Sequence, residues 1–231
     1  MGLAGKFIVI DGPDGSGKGT QLERLAVWIA ETGGRCRRAR DPGGTEIGDR
    51  IRHVLLGYDL SQMDSRCETL LFMASRAQLV AEVVRPALAA GETVLCDRFI
   101  SATCAYQGAL GLPPTDIIAL GRLAVGDTWP DLTLVLDVSP EVGFRRTGRK
   151  PHHAGQRARN QDHHVAGQIA MFDGAGPDAM ERRPLDFHSK VRQLFRELSG
   201  IYPTPVVVID AAGDEVAVWN AVQAAVARAF P

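Results

Sequence analysis

Apolar positions along the chain switch between two periods. Phe7 to Ile10 form a compact apolar run that ends at Asp11-Gly12, the pattern of a strand buried on both faces. Leu22, Leu25, Ala26 and Ile29 then recur at helical spacing until Gly33-Gly34 stops them. Arg35 to Arg40 hold the place of a second strand, although four of these six residues are arginine. The segment from Thr45 to Leu56 predicts a short helix with Ile47, Ile51, Val54 and Leu55 turned inward. A long helix follows from Arg66 to Ala90, its last turn bent by Pro86. Thr93 to Cys96, Leu132 to Val138 and Val206 to Ile209 read as three more strands, with helical segments at Ala102 to Gln107 and Thr115 to Val125 between the first two. An amphipathic helix from Val216 to Phe230 closes the chain. This alternation predicts an α/β fold, a five-stranded parallel sheet with helices on both faces.

One stretch breaks the rhythm. From Thr147 to Pro184 there is little periodicity, several glycines, and a mixture of Arg, His, Gln and Asn. So long a segment inside a compact domain is characteristic of an active-site lid. The expected organisation is one domain over residues 1–231 with a mobile lid at about 145–183 that includes an insertion.

Composition narrows the field. The chain has 231 residues, of which 45% are hydrophobic, enough for one sizeable core. A net charge of −1 gives no global attraction to nucleic acid or to an anionic membrane. No apolar run approaches the ~20 residues that span a bilayer, and the N-terminus lacks the layout of a signal peptide. Cys36, Cys67, Cys96 and Cys104 form no CxxC pair and read as reduced. These features predict a cytoplasmic protein.

The strongest chemical signal lies directly after the first strand. Gly12, Pro13, Asp14, Gly15, Ser16, Gly17, Lys18, Gly19 and Thr20 join a buried strand to a helix, the context of a P-loop. Its glycines let main-chain N–H groups turn toward phosphate oxygens, and Lys18 brings a full charge to the β- and γ-phosphates. The usual Ser or Thr after the lysine, a Mg²⁺ ligand, is here Gly19. Thr20, or water, is left to help hold the metal. The Gly-Lys-Gly-Thr-Gln run resembles adenylate kinases.

A P-loop alone fits ATPases, GTPases and kinases. Four further stretches occur in order: Arg40-Asp-Pro-Gly-Gly-Thr45, Leu71-Phe-Met-Ala-Ser-Arg76, Asp97-Arg98-Phe99 and Ala105-Tyr-Gln-Gly108. Together they resemble the thymidylate kinases, whose corresponding runs are Arg-Glu-Pro-Gly-Gly-Thr, Phe-x-x-x-Arg, Asp-Arg-x and a similar Tyr-containing segment. Pro130 to Asp137 adds a weaker match, and the resemblance is least clear from Lys150 to Pro177. It implies a P-loop kinase that phosphorylates dTMP to dTDP with ATP-Mg²⁺ for dTTP synthesis. Phe72 can then stack on the pyrimidine, adding ~0.5–1.5 kcal/mol beyond burial. Arg76, four residues on and so on the same helix face, can reach the base edge. Its guanidinium only donates, which suits the thymine O4 acceptor and not the cytosine 4-amino group. The resemblance further implies that Thr103 and Gln107 help read base and sugar and that Pro42 lies with the acceptor. It places Tyr106 where a ribose 2′-hydroxyl would project and gives Asp14 the sugar 3′-hydroxyl. A homodimer is implied as well.

The acceptor is a phosphate oxygen, already largely deprotonated at neutral pH, so no strong general base is needed. What remains is alignment and neutralisation of charge. Arg98 is the residue expected on the acceptor phosphate, with Lys18 on the donor side. Asp97 is expected as the Mg²⁺ partner, the alternative being a structural acid paired with Arg98. Phe72 and Tyr106 have core packing as their alternative, and Arg76 and Arg98 an ion pair. Gly15 stands where one layout of the family carries a P-loop arginine, so the catalytic arginine is expected in the lid, with Arg146 and Arg149 favoured. His152-His153 and His163-His164 have no metal-site spacing. Two other functions remain open from sequence: a kinase of another monophosphate such as AMP or dUMP, and a silent nucleotide-binding protein.

Overall fold

The computed structural model describes residues 2–57, 63–148 and 183–231. Strands β1 (Phe7–Asp11), β2 (Cys36–Arg40), β3 (Thr93–Asp97), β4 (Leu132–Asp137) and β5 (Val206–Asp210) form one parallel sheet in the order β2-β3-β1-β4-β5. Side chains alternate across it. Phe7 and Val9 of β1 enter one core layer, with Phe99, Ile100 and Phe195, while Ile8 and Ile10 enter the other, with Leu22, Leu25 and Val222. The second layer is covered by α1 (Lys18–Glu31) and α9 (Glu215–Ala229). The first is covered by α3 (Ser65–Leu79), α5 (Ile100–Ala109), α6 (Pro114–Val125) and α8 (Leu185–Glu197). Two-sided burial explains why β1, β3 and β4 read as unbroken apolar runs. β2 is an edge strand, and its arginines are exposed, which is how an arginine-rich segment serves as a strand.

Two expectations need correction. In α2 (Glu46–Gly57) Leu55 and Leu56 are buried, but Ile47 and Val54 are exposed, because the helix is covered on one side only. The long helix is also not continuous. α3 passes into a wider π turn at Val80–Val84 before α4 (Arg85–Ala89). Pro86 has no N–H for the carbonyl four residues back, and the widened turn precedes it. A short helix that the apolar pattern does not predict, α7 (Pro140–Arg146), follows β4. Residues 145–148 and Arg183 are the described ends of the expected lid; its other residues lie outside the described set.

After β1 the chain builds β2 and β3 on one side and then crosses to β4 and β5 on the other. The carboxyl end of β1 is therefore a switch point, where parallel α/β sheets open a crevice.

Candidate active site

Asp11 ends β1, and its buried carboxylate anchors the start of the phosphate loop. It accepts from the Gly12 N–H at 2.9 Å and from Ser101 Oγ at 2.6 Å, with Arg98 Nη1 at 3.4 Å. Burial raises its pKa, opposed first by the Arg98 charge. The loop then enters α1 through Gly17 in a left-handed conformation. Lys18 is buried and donates to the carbonyls of Gly12 and Pro13 at 3.1 and 3.0 Å, bracing the loop from within. Burial lowers its pKa, as does Arg98, against the pull of Asp14, Asp97 and Asp11. Gly15 has φ +74°, and a Cβ there would stand 2.4 Å from the Gly143 carbonyl of α7. No side chain fits at position 15, so the loop cannot carry an arginine there.

Next to the loop lies a cleft. Asp14, Pro42, Phe72, Arg76, Asp97, Arg98 and Tyr106 line it, seven residues singled out from the sequence. Phe72 and Arg76 project from α3. The Arg76 guanidinium is almost wholly buried and held at three points: Nε on Asp41 Oδ2 at 2.6 Å, and Nη2 on Phe99 O and Thr103 Oγ1, both at 3.1 Å. Nη1 meets only the Met73 thioether, at 3.1 Å, a weak acceptor. Burial raises the Asp41 pKa, opposed by the Arg76 charge beside it.

Arg98 is, among the described residues, the one non-glycine with a left-handed backbone, at φ 68°. Such a conformation costs ~1–3 kcal/mol and persists where the surroundings enforce it. Here Nη1 donates to Gly12 O at 3.1 Å, Nη2 to Asp14 Oδ1 at 2.5 Å, and the guanidinium lies 5.1 Å from the Tyr106 ring centre. The turn aims the side chain back over the phosphate loop. Several buried polar atoms at this place have no hydrogen-bond partner among the described residues: Ser16 Oγ, Asp41 Oδ1 and Asp97 Oδ1. Buried polar groups are nearly always paired, so Asp41 and Asp97, which line the cleft, each offer an oxygen to a polar ligand.

The chain resembles known proteins over nearly all its length. A model of the thymidylate kinase family matches residues 10–173. A thymidylate kinase of Solidesulfovibrio magneticus is 38% identical over 223 residues, covering 96% of this chain and 99% of that one. That of Syntrophotalea carbinolica is 43% identical, covering 91% and 90%. The solved thymidylate kinase of Ehrlichia chaffeensis superposes with a TM-score of 0.68 at 28% identity, covering 96% of this chain and 98% of that one. The chain belongs to the thymidylate kinase family. It is therefore a nucleoside monophosphate kinase by family, and the expected fold is the observed one.

Not every residue picked out by resemblance to the thymidylate kinases lies in the cleft. Thr103 sits behind Arg76, and Gln107 donates from Nε2 to the buried Glu68 Oε1 at 2.5 Å. Thr20 is exposed on α1 and lines neither the cleft nor the adjoining cavity that holds Gly19 and Asp97. Arg146 does not line the cleft: its two Nη groups donate to the carbonyls of Gly15, Ala211, Ala212 and Gly213 at 2.9–3.4 Å, tying α7 to the phosphate loop and to the loop before α9. Arg149 lies outside the described residues. Sequence reasoning missed Asp11, Asp41, Glu68 and Ser101 as parts of the site. Asp41 had a signal, being the acid beside Pro42 in the Arg40 to Thr45 loop, but nothing local linked it to Arg76, 35 positions away.

As for metal, no cluster of three or more His, Cys, Asp or Glu able to hold an ion occurs among the described residues. Asp97, with its orphaned oxygen, fits the one-carboxylate arrangement in which Mg²⁺ is held chiefly by phosphates and water. A Cβ at Gly19 would meet nothing within 4 Å, so there is room beside Lys18.

Proposed function

We propose that this chain phosphorylates dTMP to dTDP, the reaction of the family to which it belongs, with ATP on the Gly12 to Thr20 loop and dTMP in the adjoining cleft. The observation that carries the reading is the convergence of Phe72, Arg76, Arg98, Tyr106 and Asp14 on one cleft at the mouth of the phosphate loop. In this reading Phe72 stacks on the base and the Nη1 edge of Arg76 donates to thymine O4. Nε and Nη2 are already engaged, so the guanidinium is fixed before substrate arrives and loses little freedom on binding. Arg98, braced on Asp11 and Asp14, takes the acceptor phosphate, while Lys18 and the loop N–H groups take the donor phosphates. Asp97 holds Mg²⁺, directly or through water; bound there, the ion neutralises charge on the β- and γ-phosphates. Asp14 accepts from the sugar 3′-hydroxyl, and Tyr106 fills the space beside C2′. Thr103 and Gln107 act at the base and sugar, Pro42 lies against the acceptor, and a lid arginine, Arg146 or Arg149, completes the charge on the transferring group. Lid closure over residues of about 145–183 excludes water in this scheme.

The wider setting is part of the same proposal: one domain over 1–231, a homodimer in the cytoplasm, and no nucleic-acid partner. Exposed Ile47, Val54, Leu70 and Leu123, on the packed helices α2, α3 and α6, favour a covered helical face. Among the described residues no helix is long and apolar enough to cross a membrane. A coupled ADP assay over dTMP, dUMP, dCMP, AMP and GMP tests the substrate. We expect dTMP to give the highest kcat/KM, with dCMP at least ~100-fold lower, as for a buried hydrogen-bond mismatch. Faster turnover of AMP than of dTMP would overturn the assignment.

A further inference from the structure

Helices α3 and α5 are joined by two polar rungs. Arg76 donates to Thr103 at one, and Gln107 donates to Glu68 at the other. Phe72 lies midway between Glu68 and Arg76 on α3, one turn from each; like Arg76 it lines the cleft, while the Glu68–Gln107 rung is buried. Glu68 is fully buried, four residues before Phe72, and its two oxygens have different donors. Oε1 accepts from Gln107 Nε2 at 2.5 Å and Oε2 from Arg183 Nη2 at 2.7 Å, just before α8. Arg183 in turn lies 4.7 Å from the Phe187 ring centre, which fixes its guanidinium on the other side.

A glutamine amide has a donor end and an acceptor end and is free to swap them. A carboxylate already paired with a guanidinium only accepts, so it commits the nitrogen of Gln107 and leaves the oxygen as the end available to a ligand. An accepting oxygen complements the imide N3–H of thymine. It opposes cytosine, whose N3 is itself an acceptor. Arg76 presents the opposite polarity, a donor. A donor and an acceptor in fixed order match the imide edge of a pyrimidine dione and neither edge of an aminopyrimidine.

We propose that Glu68 is a positioning residue for base selection: it locks the Gln107 amide in the orientation that favours an imide-bearing pyrimidine monophosphate. The proposal rests on the reading of the cleft as the dTMP site with Gln107 at the base. Arg183 pairs with the other oxygen of Glu68, and the hold of the carboxylate on Gln107 does not require it.

The test compares kcat/KM for dTMP and dCMP in the full-length protein, as wild type, Glu68→Gln, Gln107→Ala and the double variant. Glu68→Gln is expected to raise KM for dTMP about tenfold and narrow the dTMP/dCMP ratio about tenfold, with KM for ATP unchanged. In the Gln107→Ala background the same substitution is expected to change the ratio less than twofold, since its effect passes through the amide. An unchanged ratio in Glu68→Gln, or an equal further loss in the Gln107→Ala background, overturns the proposal. Arg183→Met removes the other donor and is expected to lower the melting temperature while keeping the ratio within twofold. A narrowing as large as that of Glu68→Gln would assign the effect to the seating of α8 and overturn the amide lock. Neutron diffraction of the wild-type dTMP complex gives the same answer without a variant: the Gln107 nitrogen on Glu68 and its oxygen about 3 Å from thymine N3 are expected, and the reverse orientation refutes it. Failure of the underlying reading looks different, because wild type would then show no preference for dTMP and Gln107→Ala would leave the ratio unmoved.

Discussion

The two ends of the cleft are built from different materials. At the donor end recognition is mainly main chain: a loop of glycines, a helix N-terminus, and Lys18 folded back on the carbonyls of its own loop. At the proposed acceptor end it is side chain, with Arg76 on Asp41 and Gln107 on Glu68, the members of each pair coming from separate elements. Phosphate is the same in every nucleotide, so a backbone cradle suffices. A base must be told from other bases, which takes donors and acceptors in fixed positions, and fixing them inside a protein takes buried charges with partners.

The sharpest break between the two ends comes from Lys18→Ala. The substitution is expected to lower kcat by about 10³-fold or more, on the order of the loss for a principal transition-state charge donor. Affinity for dTMP, measured by calorimetry, should stay within a few-fold of wild type. Comparable loss of dTMP binding would mean that the two ends are not separable. Arg76→Ala comes next. It leaves Asp41 buried without its cation, for which we expect a loss of ~3–5 kcal/mol in urea unfolding, together with a smaller dTMP/dCMP ratio. Adding Asp41→Ala should recover much of the stability and none of the ratio. Recovery of both would show that Arg76 acts on the fold rather than on the base. Gly15→Ala is the mildest: its Cβ points into the Gly143 main chain, with an expected cost of ~1–3 kcal/mol. A rise in KM for ATP with KM for dTMP unchanged would confine the damage to the donor end.

The same division governs what could be read from the sequence. The phosphate loop was legible because strand, glycines, lysine and helix lie within a few residues of one another. β1, β3 and β4 were legible because burial on both faces leaves an unbroken apolar run. Phe72 and Arg76 were placed correctly on one helix face by their spacing of four. Their partners were not legible, since Asp41 and Glu68 meet Arg76 and Gln107 across 35 and 39 positions, and only the fold brings them together. Ile47 and Val54 misled because helical spacing marks a face without saying that it is covered. Arg146 donates to four carbonyl oxygens at the end of α7, one of them that of Gly15 in the phosphate loop; charge in a sequence does not tell which acceptor it will find.

The approach of Gly15 to Gly143 bears on how such an enzyme can change over time. A side chain at either position meets the backbone of the other, since a Cβ on Gly143 would stand 2.3 Å from the Asp14 carbonyl. A lineage with this pair cannot acquire an arginine at position 15 of the phosphate loop by one substitution. The loop and the turn after β4 must part first, and the intermediate sequence bears the strain without the benefit. Where the catalytic charge resides is in this sense inherited with a packing contact, and relocating it means crossing a valley between two workable arrangements.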